Sequence, residues 1–136
     1  MRIAAVQLDA RVADVGENLR RCERLADEAA AAGAEWIVLP EFFSTGVAFT
    51  EEMTRAALPP DGAATQLLRR LATRHHATVG GSFICRDPDG HNRNSFFLVG
   101  PDGKIARVYP DVDPGVHAKE LLADIASLKN GKGGKP

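Results

Sequence analysis

The start of this sequence places one amphipathic segment between two short apolar runs, and this order constrains the fold more than any other feature. Residues 3–8 and 35–39 form the apolar runs. Asp14 precedes Glu17 with the spacing of a capping box, and Gly33 follows the last apolar position, so the segment between them is predicted to be a helix. Strand, helix and strand in this order predict two parallel strands with a right-handed connection.

The following residues predict a second helix and three further strands. The helix is expected after a Pro-Pro-Asp-Gly turn, capped by Asp61 and ending near His75 and His76, where dipolar groups suit a helix end. Three apolar runs separated by Pro-Asp-Gly turns predict an antiparallel meander over residues 78–85, 94–99 and 105–109. We therefore predict an α/β domain with a mixed parallel and antiparallel sheet and both helices on one face.

Composition narrows the class of protein. The chain has 136 residues, with 17 Lys and Arg against 18 Asp and Glu, which suits one domain and provides no basic stripe for a nucleic acid or a membrane surface. No apolar stretch approaches the roughly 18 residues that a membrane span needs, and the start lacks a secretory pattern. Two cysteines form no disulfide framework. We predict a cytoplasmic domain that binds neither nucleic acid nor membrane.

Glu41 is the first candidate for catalysis. The apolar run 36–39 ends at Pro40, and Phe42 and Phe43 follow Glu41 directly. Ligands of open α/β sheets bind at the carboxyl ends of strands, and a carboxylate partly removed from water is a stronger base. We expect Glu41 to be partly buried at the mouth of a cleft. Alternatively, Pro40 ends the strand and the acid only favours a following helix N-terminus.

The cysteines and the remaining histidines give weaker indications of a functional site. Cys22 falls on the apolar face of the first helix, which predicts a core position. Cys85, His91 and His117 lack the spacing of metal ligands. A metal or redox site would require Cys85 and His91 to converge in the fold. We predict no metal site and no cofactor.

Several short motifs follow one another at a recognisable spacing. They lie at residues 2–8, 18–19, 32–34, 38–42, 81–83, 93–95 and 100–104. In this order they resemble the nitrilase superfamily of carbon–nitrogen hydrolases. The resemblance runs from about Arg2 to Tyr109, which is about the first half of a family member's catalytic domain. We divide the chain into a nitrilase-like part, 1–114, and a divergent tail, 115–136, with an amphipathic helix and a flexible basic end.

The resemblance implies a fold and a chemistry. The family fold is an α-β-β-α sandwich, of which this chain would supply one helix layer and one sheet. The family uses a Glu, Lys and Cys triad to hydrolyse non-peptide C–N bonds in amides or nitriles, and Glu41 matches its general base. Family membership also implies a small-molecule amide or nitrile substrate and a homo-oligomer. No second triad residue can be matched in this chain.

The sequence departs from the family pattern at the other two triad positions. Asp111 holds the place where the family's lysine is expected, which reverses the charge. Lys104 belongs to a turn and Lys119 comes too late in the chain. Cys85 superficially resembles the nucleophile, but a Pro-Asp-Gly hairpin turn follows it and it precedes every lysine candidate. We interpret Cys85 as a lookalike.

Two hypotheses follow from this combination. In the first, the chain is a truncated carbon–nitrogen hydrolase that is inactive by itself. In the second, it is a non-catalytic scaffold or interaction module whose tail helix covers the sheet face that the second sheet would occupy. Because the predicted helices cover one face only, we expect exposed apolar surface or self-association unless the tail helix covers the other face.

Overall fold

The computed structural model describes residues 1–110 and 113–129, and shows a mixed α/β arrangement. Its elements in chain order are β1 (Ile3–Ala5), α1 (Val15–Ala31), β2 (Trp36–Val38), α2 (Glu51–Arg55), α3 (Ala63–His75), β3 (Thr78–Arg86), β4 (Asn92–Val99), β5 (Ile105–Tyr109) and α4 (His117–Lys129). No helix in these two ranges is both long and apolar enough to cross a membrane.

The five strands form one sheet in the order of the sequence. β1, β2 and β3 are parallel, while β3, β4 and β5 are antiparallel. This confirms the predicted mixed sheet, including the parallel unit around α1. The strands β1 and β2 are shorter than the apolar runs that predicted them, and β3 and β4 each extend further into their shared hairpin.

Helices α1 and α3 pack on the same face of the sheet, which confirms the predicted arrangement. We call this the helical face. Its sheet residues alternate with those of the opposite face, because successive side chains of a strand point to opposite sides. The buried cluster on the helical face includes Ile37, Val79, Phe83, Phe97 and Val99 of the sheet, Cys22 and Ala26 of α1, and Leu67 and Leu71 of α3. Cys22 is therefore a core residue, as predicted.

The helix ends test the predicted caps. The Asp14 carboxylate accepts a hydrogen bond from the Glu17 backbone N–H at 3.2 Å, which confirms the cap of α1. The prediction for α3 was wrong, because Gly62 rather than Asp61 holds the capping position and no side chain caps this helix. At the other end of α3, His76 is the left-handed cap residue and His75 Nε2 lies 2.6 Å from Asp27 Oδ1 on α1.

Helix α2 was not among the elements predicted from the sequence. Thr50 caps it, since the Thr50 hydroxyl accepts a hydrogen bond from the Met53 backbone N–H at 3.3 Å. Two acidic residues occupy its first turn, and Met53 is buried. Threonine followed by acidic residues is an ordinary helix-start pattern. The sequence therefore carried the signal for this short helix.

Helix α4 packs on the opposite face of the sheet, over β4 and β5. The His117 ring lies 5.5 Å from the Phe96 ring and 4.8 Å from the Tyr109 ring, measured between centroids. Asp124 accepts a hydrogen bond from the Tyr109 hydroxyl, and its Oδ1 lies 3.0 Å from Arg107 Nε. The predicted tail helix is thus present and covers part of this face. Its predicted end at residues 130–131 and the basic end at 132–136 lie outside the described residues.

Replacing Asp124 is expected to loosen α4 without unfolding the sheet. The change Asp124→Asn removes the charge that pairs with Arg107, a partly exposed contact worth about 0.5–1.5 kcal/mol. We expect the protection of α4 amides against hydrogen exchange to fall several-fold, while that of β3 and β4 is unchanged. Lys119→Gln, on the exposed side of the same helix, is the control.

Lowering the pH should have the same effect as this substitution. Partial burial opposes ionisation of Asp124, but hydrogen bonds from Tyr109 and Arg107 outweigh it and lower the pKa of this carboxyl below its ordinary value. A lowered folded-state pKa means that the contribution is complete above the ordinary carboxyl pKa and is lost as the pH falls through the folded value. Tyr109 is the single tyrosine of the chain, so its ring resonances report the docking. If the Tyr109 ring resonances do not change as the pH falls, Asp124 does not hold α4 in place.

Candidate functional site

Glu41 follows β2 after Leu39 and Pro40, in a turn at the carboxyl end of the parallel strands. The backbone around it continues to pair with β3. Leu39 N–H donates to Gly80 O at 2.7 Å, and Phe43 N–H donates to Ser82 O at 3.1 Å. The turn therefore extends the pairing of β2 with β3 beyond the carboxyl end of β2 and is not a free loop.

The turn contains a strained residue next to Glu41. Phe42 has a φ of +51°, a left-handed conformation that an L-residue other than glycine, asparagine or aspartate rarely adopts. Its N–H donates to the buried Ser82 hydroxyl at 3.3 Å. Its carbonyl accepts from Thr45 N–H at 3.1 Å and from Gly46 N–H at 2.8 Å. These three bonds hold the strained conformation, which determines where the neighbouring carboxylate points.

Asn18 ties this turn to α1. The side chain is fully buried, and its Nδ2 donates to Ser44 O at 3.0 Å and to Arg11 O at 2.6 Å. Its Oδ1 accepts from the Arg11 N–H at 2.8 Å. One amide side chain thus satisfies three backbone groups from two separate loops. Asn18 is a positioning residue for the turn that carries Glu41.

The Glu41 carboxylate is hydrogen bonded to a residue on a distant strand. Asn94 Nδ2 on β4 donates to Glu41 Oε1 at 2.7 Å. The Cα partner of Asn94 is Ile84, which places both on the face of the sheet opposite to α1 and α3. The Asn94 Oδ1 is buried and has no hydrogen-bond partner within residues 1–110 and 113–129.

Glu41 itself is exposed, so the expectation of a partly buried carboxylate was wrong. The two aromatic residues do not enclose it. The Phe43 ring packs in the core of the helical face, 5.9 Å from the Phe83 ring, while the carboxylate turns to the opposite face. Phe42 is half-buried. The left-handed turn separates the Phe43 ring from the carboxylate, which the spacing of residues in the sequence does not reveal.

A small cavity adjoins this hydrogen-bonded pair. Its volume is about 210 Å³, and its walls are Phe42, Phe49, Met53, Thr54, Ile84, Asn92, Arg93 and Asn94. Phe42 is the chain neighbour of Glu41 and Asn94 is its hydrogen-bond partner. Four of its eight wall residues are apolar, and the polar four include the Asn94 amide that binds Glu41.

Cys85 lies on the other side of the sheet from Glu41. The adjacent pair in the strand ladder, Ile84 and Asn94, belongs to the opposite face. Cys85 is paired with Arg93 and is buried in the helical-face cluster. Burial raises the pKa of the Cys85 thiol, and the nearby charge of Asp87 raises it further, against a hydrogen bond with Ser95 that lowers it. A buried neutral thiol is a poor nucleophile. The structure does not bring Cys85 and Glu41 together, which supports the lookalike interpretation.

The other predicted candidates are also separate from Glu41. The Lys104 side chain is 85% exposed and lies 3.9 Å from Asp102 in its turn. Lys119 is exposed on α4. Asp111 lies outside the described residues. His91 pairs with Asp89 at 2.8 Å in the β3–β4 turn, and in the described part of the chain no group of three acidic, histidine or cysteine side chains is arranged to hold a metal.

Three residues of the site were missed as functional candidates, namely Asn18, Ser82 and Asn94. Each lies within a motif that carried the family resemblance, so the signal existed. The motifs did not indicate what these residues do, because each of them acts through contacts with segments far away in the sequence.

A family model for carbon–nitrogen hydrolases matches residues 2–131. The chain belongs to the carbon–nitrogen hydrolase family. This confirms the resemblance to the nitrilase superfamily. Whether the chain divides at residue 114, as the sequence suggested, stays a prediction.

Curated carbon–nitrogen hydrolases of two kinds are similar to the chain. An omega-amidase of Danio rerio is 34% identical, over 96% of this chain and 48% of that protein. A nitrilase of Pyrococcus abyssi is 32% identical, over 79% of this chain and 42% of that protein. An omega-amidase of Yersinia enterocolitica is 38% identical over 69% of this chain and 34% of its own length. The chain thus spans a third to a half of these relatives.

Solved structures of the family share the fold. A carbon–nitrogen hydrolase superfamily protein of Xanthomonas campestris, with an arsenic adduct in its active site, has a TM-score of 0.73 and 26% identity. The match covers 89% of this chain and 44% of that one. The NitFhit protein of C. elegans has a TM-score of 0.70 at 22% identity, over 82% of this chain and 27% of its own.

Proposed function

We propose that this chain supplies the general-base part of a carbon–nitrogen hydrolase that cleaves a non-peptide C–N bond in an amide or nitrile, with Glu41 as the base. The observation that carries this proposal is the Glu41–Asn94 hydrogen bond of 2.7 Å at the carboxyl end of the parallel strands. Family membership supports it independently. The proposed substrate is a small-molecule amide or nitrile, and the proposed form of the protein is a cytoplasmic homo-oligomer.

The geometry suggests how Glu41 acts. Asn94 donates to Oε1 only, so Oε2 is available to accept a proton. In the family triad the glutamate takes the proton of a cysteine thiol, the thiolate attacks the nitrile or amide carbon, and a lysine stabilises the developing charge. As the amide C–N bond breaks, Glu41 gives this proton to the leaving nitrogen. It then takes a proton from the water that hydrolyses the resulting thioester, which releases the acid and regenerates the thiol. The exposure of Glu41 leaves its carboxylate accessible to the thiol and the lysine that this mechanism requires.

A chimera tests the hydrolase proposal. Residues 1–109 of this chain replace the corresponding segment of the Danio rerio omega-amidase. The residue that corresponds to Asp111 then comes from the omega-amidase. We expect turnover of that relative's own amide substrate within about two orders of magnitude of the relative. A matched chimera that carries residues 1–114, and thus Asp111, should be inactive because an anion opposes thiolate and oxyanion formation. A folded 1–109 chimera without turnover would refute the proposal.

The chain by itself should not hydrolyse amides or nitriles at a rate that depends on its cysteines. Cys85 is buried on the helical face, and losing one member of a triad commonly removes nearly all of its acceleration. A panel of amides and nitriles is incubated with the parent chain and with Cys85→Ala, and released ammonia is measured. Both should match the buffer background. Ammonia release that Cys85→Ala abolishes would show that Cys85 is a working nucleophile.

A second candidate function is a non-catalytic scaffold. The specific observation in its favour is α4, which lies on the sheet face that carries Asn94 and is held there by Tyr109 and Asp124. A helix in this position covers apolar sheet surface that would otherwise need a partner. Sedimentation of the parent chain and of Asp124→Asn distinguishes the candidates. If the chain is a scaffold whose sheet face is covered by α4, the parent chain should be monomeric and Asp124→Asn should associate. If it is the homo-oligomer proposed above, the parent chain should already associate while α4 is docked.

A further inference from the structure

The cavity beside the Glu41–Asn94 pair has an apolar floor and a polar rim. Of its apolar wall residues, Met53 is 3% exposed, and Phe42 and Ile84 are half-buried. The exposed polar wall residues are Thr54, Asn92 and Arg93. A molecule in this cavity is therefore expected to place an apolar group on the floor and its polar group towards the Asn94 amide.

Phe49 differs from the other apolar wall residues, because it is 85% exposed. Its φ is +51°, a left-handed conformation that is unfavourable for a bulky residue. The backbone on both sides of it is held by α2. Ala48 N–H donates to Met53 Sδ at 3.5 Å, and the Thr50 hydroxyl accepts from Met53 N–H at 3.3 Å. An exposed ring on a strained but fixed backbone does not serve stability, and such strain is common at ligand sites.

Three of the apolar wall residues favour contact with an aromatic ring. The rings of Phe42 and Phe49 can pack face to face or edge to face with an aryl group. The thioether of Met53 also makes favourable contacts with aromatic rings. The cavity volume of about 210 Å³ equals about seven water molecules at ~30 Å³ each, which suits a single ring. The wall composition and the volume together favour an aryl group over a long alkyl chain.

Phe49 also borders another cavity, of about 370 Å³, at the start of α2. Its other walls are the exposed residues Thr50, Glu51, Thr54 and Arg55. Because all four are polar, an aryl group is expected to bind on the Met53 side of the Phe49 ring. Arg55 pairs with Glu51 at 2.8 Å and does not line the cavity beside Asn94, so it provides a control position close to Phe49.

We propose that Phe49 is a specificity-determining residue, which packs against an aryl group of the substrate while the amide or nitrile of the same molecule lies towards Glu41. This rests on the proposed hydrolase function and names its substrate class as an aryl-bearing amide or nitrile. Asn94 links the two parts, since it lines the cavity and donates to Glu41 Oε1 at 2.7 Å. When the substrate binds, the Phe49 ring is removed from water, and this burial favours the aryl group.

Binding to the whole chain tests the substrate class without any turnover. Phenylacetamide, cyclohexylacetamide and acetamide share the amide, and only the first has an aromatic ring. The chain has two methionines, so isotope labelling of their methyl groups gives a signal from Met53 in the cavity and a control signal from Met1. We expect phenylacetamide to shift the Met53 signal by its ring current, leave the Met1 signal unchanged, and bind at least tenfold more tightly than acetamide and threefold more tightly than cyclohexylacetamide. Equal affinity for the two ring compounds, or a Met53 signal that does not move, would overturn the proposal.

Variants of Phe49 separate binding from folding. Phe49→Gly removes the ring and suits the left-handed backbone. We expect it to weaken phenylacetamide binding at least tenfold, while the chain unfolds at the same or a higher temperature because the strain is relieved. Phe49→Tyr keeps an aromatic ring and should bind within threefold of the parent, and the control Arg55→Ala should change the affinity less than twofold. Parent-like binding by Phe49→Gly would refute the role of this residue.

Failure of this proposal is distinguishable from failure of the hydrolase function. The binding experiment needs neither a thiol nor a lysine, so a missing aryl preference refutes the substrate class and leaves the role of Glu41 unaffected. The 1–109 chimera is assayed on the omega-amidase's own substrate, so a folded chimera without turnover refutes the hydrolase function itself. An aryl preference that disappears in Phe49→Gly and persists in Arg55→Ala is the result that supports the proposal.

Discussion

Glu41→Gln in the 1–109 chimera should lower kcat at least about 10³-fold with little change in KM. Glutamine keeps the shape of the side chain and can still accept the hydrogen bond from Asn94, but it cannot take a proton. General-base catalysis contributes about 10²–10⁴-fold, and triad members act as a unit, so the loss should lie at the upper end of that range. Steady-state turnover of the amide substrate measures it.

The control is a glutamate of the same segment with no assigned role. Glu51→Gln removes an exposed carboxylate on α2 that pairs with Arg55 at 2.8 Å. Its kcat should stay within about twofold, because exposed ion pairs contribute little. If Glu41→Gln and Glu51→Gln behave alike, Glu41 is not the base. Asn94→Ala should reduce kcat less than Glu41→Gln, since it removes the group that orients the base and not the base itself.

Asn18→Ala should lower the free energy of unfolding by about 2–4 kcal/mol, a large loss for the substitution of a single polar side chain. The side chain is fully buried and satisfies the carbonyls of Arg11 and Ser44 and the N–H of Arg11. Alanine leaves these backbone groups buried without partners, at about 1–3 kcal/mol for each that water cannot reach. Urea unfolding measures the change, since a shifted midpoint at constant slope reports stability.

The same variant should disturb the turn that carries Glu41. Ser44 lies in this turn, so losing its bond to Asn18 should raise hydrogen exchange of the amides of residues 42–46 more than those of α3. The matched control is Asn92→Ala, an exposed asparagine at the start of β4. It should cost less than about 0.5 kcal/mol. A loss for Asn18→Ala no larger than that of the control would show that this amide does not hold the turn.

Local patterns were sufficient to predict the elements and their order. Asp14 and Gly33 bracket α1 because a cap and a left-handed glycine act within one or two turns of the helix that they delimit. The prediction of Asp61 as a cap failed for an equally local reason, since Gly62 adopts the capping conformation one residue later. Helix α2 was not predicted, although Thr50 followed by Glu51 and Glu52 is a local signal for the start of a helix.

The site needed information that no local pattern contains. Asn94 is 53 residues from Glu41, and their contact exists only because β3 and β4 pair in one register. A slip of one residue would turn Asn94 to the helical face. The burial of Glu41 was also mispredicted, because the left-handed Phe42 sends the Phe43 ring into the core and the carboxylate to the opposite side.

By itself, the sequence determined the strand and helix order, the mixed sheet, the family and the candidate base, since these follow from short-range periodicity, caps and motifs. Tertiary structure alone decided which side of the sheet each chemical group occupies. It separates the thiol of Cys85 from the carboxylate of Glu41 and seats α4 against Tyr109. The physical reason is that strand register and helix packing are set by long-range burial, to which each residue contributes only a small part.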